Sequence, residues 1–527
     1  MAVYASTKNL LAFLLRKWLK YNIISTLFDM ATTWSNKDLF CNDLPTKFQP
    51  GIGRVLVTGA SGYIGGRLVP ELSERGYKVR AMVRSAPSTY RALWPNVEVA
   101  VADVHNIDSL RAALENIDTA YYLIHSLRLG PKKFAEADID AARNFSKVAE
   151  EKGVNRIVYL GGLGDVRSSL SSHLRSRAEV ARELRRRKTP VTVLRAAIIV
   201  GSGSTSYEII QHLVRELPII FIPRWAKNRC QPIAVRDVIK YLVGVLEIPE
   251  TSGQSFDIGG KDVLTYEMML KMLAEVRHKK ILFVPVPFSN IRFYAYGASL
   301  LTPVPESITE CLMEGLKNEV ICQDASIRSL IPFEPLSYKE AMIRAMSREE
   351  QDKVYTRWSD AYLPAYELAL KLDELKNRPA YTAGYSIATK KDASRIFRSI
   401  CRIGGKEGWF HSNWLWRLRG GIDRILLGVG SARGRKSYSG LKINDVIDFW
   451  RIEDIKENKR LLLRAEMRLP GKAWLEFGIG EKDGMRDLKV TAYYDTQSLF
   501  GRIYWYMCLP LHHFIFHNLI KEIEKRS

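Results

Sequence analysis

The sequence predicts two folds in series: an α/β domain on a doubly wound parallel sheet, then a smaller antiparallel α+β domain. Three observations carry this. Strand-like and helix-like stretches alternate from residue 54 to about 345. A glycine-punctuated turn closes the first strand. Beyond residue 381 four strands follow one another before a long closing helix. The length agrees, since 527 residues exceed what one core organises.

Residues 1–50 form a segment of their own. Leu10, Leu11, Leu14, Leu15, Trp18 and Leu19 recur at helical spacing among Lys8, Arg16, Lys17 and Lys20, and no acid precedes Asp29. This pattern predicts a basic amphipathic helix, too interrupted by charge to span a bilayer. It suits a membrane surface, an amphipathic presequence, or docking on the body of the protein.

The domain of residues 51–346 is expected to hold strands at 55–58, 79–83, 97–102, 119–124, 156–160 and 191–199. Helices are expected at 65–76, 107–115, 137–153 and 175–187. Such alternation argues a parallel sheet covered on both faces. After residue 201 the alternation loosens, as in a smaller substrate-binding lobe. A charged run from Ser347 to Lys353 opens a partly helical linker, 347–380.

The domain of residues 381–527 starts with a strand at 385–389 and helices at 392–403 and 414–427. Strands at 446–455, 460–468, 473–479 and 487–494 follow, then a helix over 499–526. Ile503 to Ile520 is apolar, but Arg502, Pro510, His512, His513 and His517 argue against a transmembrane span. A core helix covering a curved sheet is the expectation, with interfacial membrane contact second. Trp409, Trp414, Trp416, Trp450, Trp474 and Trp505 predict an aromatic-rich interior.

The most informative stretch is Val55-Leu56-Val57-Thr58-Gly59-Ala60-Ser61-Gly62-Tyr63-Ile64-Gly65. Strand, glycine turn, helix and second strand follow in the order a dinucleotide fingerprint needs. Gly59 avoids a Cβ clash in the tight turn, Gly62 lets the backbone approach a pyrophosphate, and Gly65 lets helix pack on strand. The phosphates would sit among Ser61, Tyr63 and Ile64 at the helix N-terminus, where N–H groups and the dipole favour anions. The domain is therefore expected to be of Rossmann type.

Cofactor choice turns on the end of the second strand. An acid there would hold a ribose 2′-OH, whereas this chain has Arg84-Ser85, which suits a 2′-phosphate. NADP(H) is the preferred cofactor, with NAD(H) the other candidate. Arg84 stacking on adenine is the alternative reading.

Six scattered cysteines without a CxxC pair argue against zinc and a disulfide framework, so no metal is expected and a reducing, cytoplasmic compartment fits. A net charge of +22 attracts anions. Without zinc-finger or leucine-zipper spacing, nucleic acid ranks last, behind a solvated basic surface and association with a membrane surface.

Residues 54 to about 345 resemble the extended short-chain dehydrogenase/reductase superfamily in its atypical, epimerase-like branch. Thr58 to Gly65 matches its TGxxGxxG form, and Gln231-Pro232-Ile233-Ala234-Val235-Arg236-Asp237-Val238 resembles a further segment of extended members. The resemblance implies an adenine contact at Asp103 and Val104. It also implies a ribose contact at the end of the fourth strand, Ile124 and His125. The chain resembles a fusion, and its last domain is similar in element order to START-like helix-grip proteins, which enclose apolar ligands.

One departure matters. Typical members use a Tyr-x-x-x-Lys pair and an upstream Ser; here His173 and Arg177 stand for the pair, and the Ser falls in Gly161-Gly162-Leu163-Gly164. His173 can donate a proton to a developing alkoxide, and Arg177 can hold ribose hydroxyls or ease negative charge but cannot shuttle a proton. The plain alternative is that His173 packs or caps. The first reading is an oxidoreductase on an apolar, ring- or isoprenoid-containing substrate held partly by residues after 201, with the net basic charge and the terminal amphipathic helices keeping the protein near a membrane surface. The altered pair keeps two alternatives open: a non-catalytic nucleotide sensor or accessory subunit, as in respiratory complex I, or a lipid or quinone carrier.

Overall fold

The computed structural model describes residues 40–84, 90–91, 93–125, 130–164, 171–302, 304, 306–350, 356, 372, 379–404, 408–410, 413–425, 441, 445–467, 469–482 and 484–527. The amphipathic helix expected near the start, Ser85 and most of the 347–380 linker lie outside these residues. The chain divides into two compact units, Met1–Asp43 and Leu44–Ser527, and both sheets belong to the second.

Seven strands form the first sheet: β1 (Val55–Val57), β2 (Val79–Val83), β3 (Glu98–Val101), β4 (Thr119–Tyr122), β5 (Arg156–Gly162), β6 (Val191–Ala196) and β7 (Ser255–Ile258). Their order is β7-β6-β5-β4-β1-β2-β3, with every pairing parallel. Strands buried on both faces read as continuous apolar runs, which is why Val55-Leu56-Val57 carries no polar alternation.

Helices α1 (Gly65–Glu74), α2 (Ile107–Ala113), α3 (Gly130–Glu151), α4 (Ser172–Leu184), α5 (Thr205–Glu216) and α6 (Val235–Glu247) follow in chain order. Leu110 of α2, Phe145 and Val148 of α3 and Val180 of α4 pack with Leu56, Tyr122 and Ile157 on one face. On the other, α6 meets the sheet where Tyr121 donates to the Leu242 carbonyl at 2.8 Å. A buried ion pair, Arg75–Glu247 at 2.7 Å, ties the end of α1 to the end of α6.

Two helices begin earlier than the sequence predicts. Helix α3 starts at Gly130, with Pro131 in its first turn, where a missing N–H costs nothing. Helix α4 starts at Ser172 because the Ser171 hydroxyl caps it, accepting from Leu174 N. Strand β6 ends at Ala196. Ile199–Val200, expected as its continuation, pairs instead with Ile233–Ala234 and carries the chain into a second lobe. That lobe holds α5, α7 (Tyr266–Val276), α8 (Ile291–Leu301) and α9 (Glu306–Gly315). Helix α10 (Tyr338–Glu350) takes in Ser347 to Glu350, which the sequence assigned to the linker.

The C-terminal domain is a six-stranded antiparallel sheet: β8 (Tyr381–Thr389), β9 (Val446–Ile447), β10 (Trp450–Lys456), β11 (Arg460–Ala465), β12 (Lys472–Lys482) and β13 (Met485–Asp495). Its order is β8-β13-β12-β11-β10-β9. The single strand expected over 446–455 is a tight hairpin instead. Asp448 adopts φ +55°, and Ile447 pairs with Trp450. Short polar side chains tolerate that left-handed conformation, so the turn carried no glycine to announce it.

Helices α11 (Ala393–Ile400), α12 (Asn413–Ile425) and α13 (Leu499–Lys525) complete the domain. Phe516, Leu519, Ile520 and Ile523 of α13 share a core with Leu461, Leu475, Phe477 and Val490 of the sheet. The first half of α13 differs: Phe500, Ile503, Met507 and Leu511 are exposed. Among the described residues no helix is long and apolar enough to cross a membrane.

Candidate functional site

Strand order reverses between β1 and β4, whose following helices go to opposite faces of the sheet. A crevice therefore opens at the carboxyl ends of these two strands, the usual ligand position in such sheets. The glycine turn lies there. Gly59 has φ +61°, and a Cβ on it would meet the Leu123 carbonyl oxygen at 2.7 Å. A Cβ on Gly65 would lie 2.3 Å from the Gly59 oxygen. Both positions require glycine, one for conformation and space, the other for the packing of α1 against the turn. Gly62 N donates to Gly59 O at 2.8 Å, and Gly66 N to Gly62 O at 2.9 Å, closing the turn into the helix.

Ile64 stands at the N-cap of α1 and supplies no side-chain cap. No side-chain hydroxyl competes for the turn, but Gly66 N and Arg67 N already donate to Gly62 O and Ile64 O, so an anion here would be met by the N–H groups that precede them. Thr58, which sequence reasoning read only as part of the motif, braces the crevice. Its hydroxyl donates to Tyr121 O at 2.9 Å and accepts from Leu123 N at 3.1 Å, holding the ends of β1 and β4 together.

Tyr63 offers the crevice its main chain, because its side chain is used elsewhere. The ring lies 4.1 Å beneath the Arg67 guanidinium, and a Cβ on Gly201 would come within 2.7 Å of the hydroxyl. Burial raises its pKa. Arg67 donates to Tyr63 O at 3.1 Å, to Thr356 O at 2.9 Å and to Ser202 O at 2.9 Å. Ser61 remains partly exposed at the turn.

Arg84 is exposed at the end of β2, beside the turn, while its neighbour Ser85 lies outside the described residues. After β3, Asp103 is partly exposed and its carboxylate accepts from His105 N at 2.9 Å. Val104 turns inward and belongs to the core, so of the two residues only Asp103 keeps a side chain at the surface. Ile124 is half-buried against the same core.

His125, His173 and Arg177 converge. His125 and His173 have ring centroids 5.2 Å apart. His125 Nδ1 lies 2.7 Å from the carboxylate of Asp138, a buried residue of α3. A carboxylate only accepts, so it places the imidazole proton on Nδ1 and leaves Nε2 as the basic nitrogen. Burial, then the Arg177 charge, lowers the His125 pKa, with Asp138 opposing. Burial, His125 and Arg177 hold His173 well below the usual histidine range. Both rings are therefore uncharged near neutrality. A neutral ring accepts a proton or donates an N–H bond.

Arg177 points at the sheet. One guanidinium nitrogen donates to the Leu160 carbonyl, and the group sits 4.9 Å from the Tyr159 ring. The other, Nη1, is buried without a partner. The nearby tyrosines are core residues: burial pushes Tyr159 up to about 12 and Tyr122 well above its ordinary value. Asp138 is the residue sequence reasoning missed. It sits inside a helix of mixed polarity, and nothing local marks it out.

A second cavity, of about 280 Å³, lies in the lobe beyond β6. Ile209, Leu213, Phe221, Trp225, Phe293 and Leu312 line it, so its walls are apolar.

Fold and turn together define an NAD(P)-binding Rossmann domain. Residues 59–216 match a family model described as NAD(P)H-binding, and residues 376–519 match one described as a protein of unknown function, DUF2867. Among curated proteins, the chain is similar to NADH dehydrogenase (ubiquinone) 1 alpha subcomplex subunit 9, mitochondrial, of Arabidopsis thaliana. The two are 24% identical over 240 residues, 44% of this chain and 60% of that protein. It is also similar to 3-beta-hydroxysteroid dehydrogenase of Mycolicibacterium neoaurum, 33% identical over 117 residues, 20% of this chain and 31% of that protein. The chain thus spans less than two thirds of the length of either relative. Among solved structures, the triphenylmethane reductase of Citrobacter sp. complexed with NADP(H) aligns at 21% identity with a TM-score of 0.47, covering 55% of this chain and 99% of that one.

Proposed function

We propose that this protein is an NADP(H)-dependent oxidoreductase acting on an apolar substrate. The observation that carries the reading is the glycine turn at the reversal point of the sheet, where Gly59 and Gly65 leave no room for a side chain. Arg84 at the end of β2 supports NADP(H) over NAD(H) through its charge. The apolar cavity beyond β6 supports a substrate of ring or isoprenoid type, and a relative named for a hydroxysteroid points the same way.

In this reading the cofactor carries the hydride, and the chain supplies orientation and proton handling. His125, held by Asp138, accepts the hydroxyl proton when an alcohol is oxidised and, once protonated, returns it to the oxygen when a carbonyl is reduced; His173 hydrogen-bonds the substrate oxygen; Arg177 Nη1 steadies ribose or developing charge. The domain of residues 51–346 does the chemistry. Residues 381–527, a helix-grip-like domain joined by 347–380, hold an apolar ligand. Exposed Phe500, Ile503 and Met507, with the net charge of +22, support attachment to a membrane surface.

The test is spectroscopic. Purified protein is loaded with NADPH, candidate quinones, enones and aldehydes are added, and absorbance in the reduced-nicotinamide band is followed. Steady loss is expected; binding without loss across a broad panel removes the catalytic reading.

One observation favours a second reading, a nucleotide-binding accessory subunit or sensor without turnover. Arg177 spends one nitrogen on the Leu160 carbonyl and both nearby tyrosines are locked in the core. A relative named as a subunit of NADH dehydrogenase is consistent with it.

A further inference from the structure

A further cavity, of about 310 Å³, lies between α4 and the edge of the first sheet. That volume stands at the lower end of the range for small-molecule sites. Its lining extends along α4 from Leu174 to Arg185 and reaches Val193 in β6 and Ser255 at the start of β7. The cavity therefore runs beside the sheet, away from the crevice between β1 and β4. Leu174, Ala178 and Ala181 are half-buried and make one side apolar.

The other side is cationic. Arg182 and Arg185 come from the end of α4 and Arg195 from β6, and all three side chains are accessible. Among the described residues, the carboxylate paired with them is that of Asp257, 2.7 Å from Arg195 Nε. Asp257 is already engaged, since it also accepts from Gln323 N at 2.8 Å and Asp324 N at 3.3 Å. Arg185 uses one nitrogen, Nη2, to donate to the Ser255 hydroxyl at 2.7 Å and the Val191 carbonyl at 3.3 Å. No described carboxylate pairs with Arg185, and Arg182 has neither ion pair nor hydrogen bond among the described residues. Burial and then the Arg195 charge lower the Arg185 pKa, so these two cations stand close enough to repel. With Asp257 offsetting one of three charges, two remain.

Guanidinium forks beside a hydroxyl match the oxygens of a phosphate. A phosphate monoester carries about −1.5 to −2 near neutral pH, which balances the remaining charge better than a carboxylate does. We propose that this cavity is a binding site for the phosphate monoester of a small apolar alcohol or phenol. The phosphate oxygens accept from Arg182, Arg185 and Arg195 and from the Ser255 hydroxyl, and the apolar body lies along Leu174, Ala178 and Ala181. The proposal stands apart from coenzyme binding, which uses the glycine turn.

The test is titration calorimetry on the full chain with phenyl phosphate, with NADPH already saturating so that the glycine turn is occupied. Benzoate, a monoanion with the same ring, and inorganic phosphate, which lacks the ring, are the comparisons. Phenyl phosphate is expected to bind about tenfold more tightly than either. Arg182→Gln should weaken it about tenfold, the loss of one charge-assisted hydrogen bond, and leave the unfolding midpoint in place. Lys188→Gln removes an exposed charge beyond the end of α4, outside the cavity, and should leave affinity unchanged. The proposal is overturned if phenyl phosphate does not bind beside NADPH, if benzoate or inorganic phosphate binds as tightly, or if the two substitutions act equally. Should NADPH itself fail to bind, the coenzyme reading falls, and the two variants titrated without it still decide on this cavity.

Discussion

At the scale of single residues, two positions concentrate the argument. Gly65 is legible in the sequence because the spacing of three glycines has one well-understood use, and the structure supplies the reason in a 2.3 Å approach. Gly65→Ala is expected to abolish NADPH binding and to cost about 1–3 kcal/mol of stability through overpacking; titration calorimetry and a denaturant curve check both. Asp138 shows the opposite case. Its role exists only once α3 lies across the end of β4, a contact between residues 13 apart in a stretch with no motif. Asp138→Asn should lower turnover by about 100-fold or more, since the imidazole loses its fixed tautomer. Because burial lowers the His125 pKa, a base at this position is active at neutrality, and the rate of alcohol oxidation with NADP+ should fall only as pH drops below the ordinary histidine value of about 6.5. A pH–rate profile whose acid limb lies above that value would remove His125 as the base.

At the scale of elements, valine- and alanine-rich runs gave away the parallel strands, because strands covered on both faces need no polar positions. Capping decided what was misread. Ser171 starts α4 early and puts His173 in the first turn, whereas a periodicity search begins at the first repeating apolar residue. The β9–β10 hairpin escaped because Asp448, not glycine, makes the turn. Helix α13 carries a titratable group into its packing: His512 is held down to about 4 by burial. With the folded value below the unfolded one, the full contribution of the neutral ring is present above pH ~6.5 and is lost as pH falls toward about 4, by up to about 3 kcal/mol. Thermal unfolding of His512→Phe should therefore decline less steeply over that window than the parent chain does.

At the scale of the whole molecule, composition gave the excess of positive charge, but not which surface would meet a partner. The structure gathers exposed Trp414, Leu418 and Ile422 on one face of α12 and Phe500, Ile503 and Met507 on the first half of α13. Averaging over the long apolar helix hides this, since its second half fills the core. Sedimentation with anionic phospholipid vesicles is expected, weakening with salt, and Phe500→Asp with Met507→Asp should reduce it severalfold; unchanged sedimentation would detach this face from any role at lipid. The substrate stayed illegible because cavity walls are assembled from distant segments, whereas the phosphate turn is written in eleven consecutive residues.

Arg67 has a consequence beyond its own helix. One guanidinium gathers the carbonyl of Tyr63, that of Ser202 and that of Thr356, a residue lying past the end of α10. The glycine turn, the threshold of the second lobe and Thr356 thus hang from a single planar knot. Where a coenzyme changes that knot, linkage makes the effect mutual: whatever it does to the hold on Thr356, a change at Thr356 does to coenzyme affinity by the same factor.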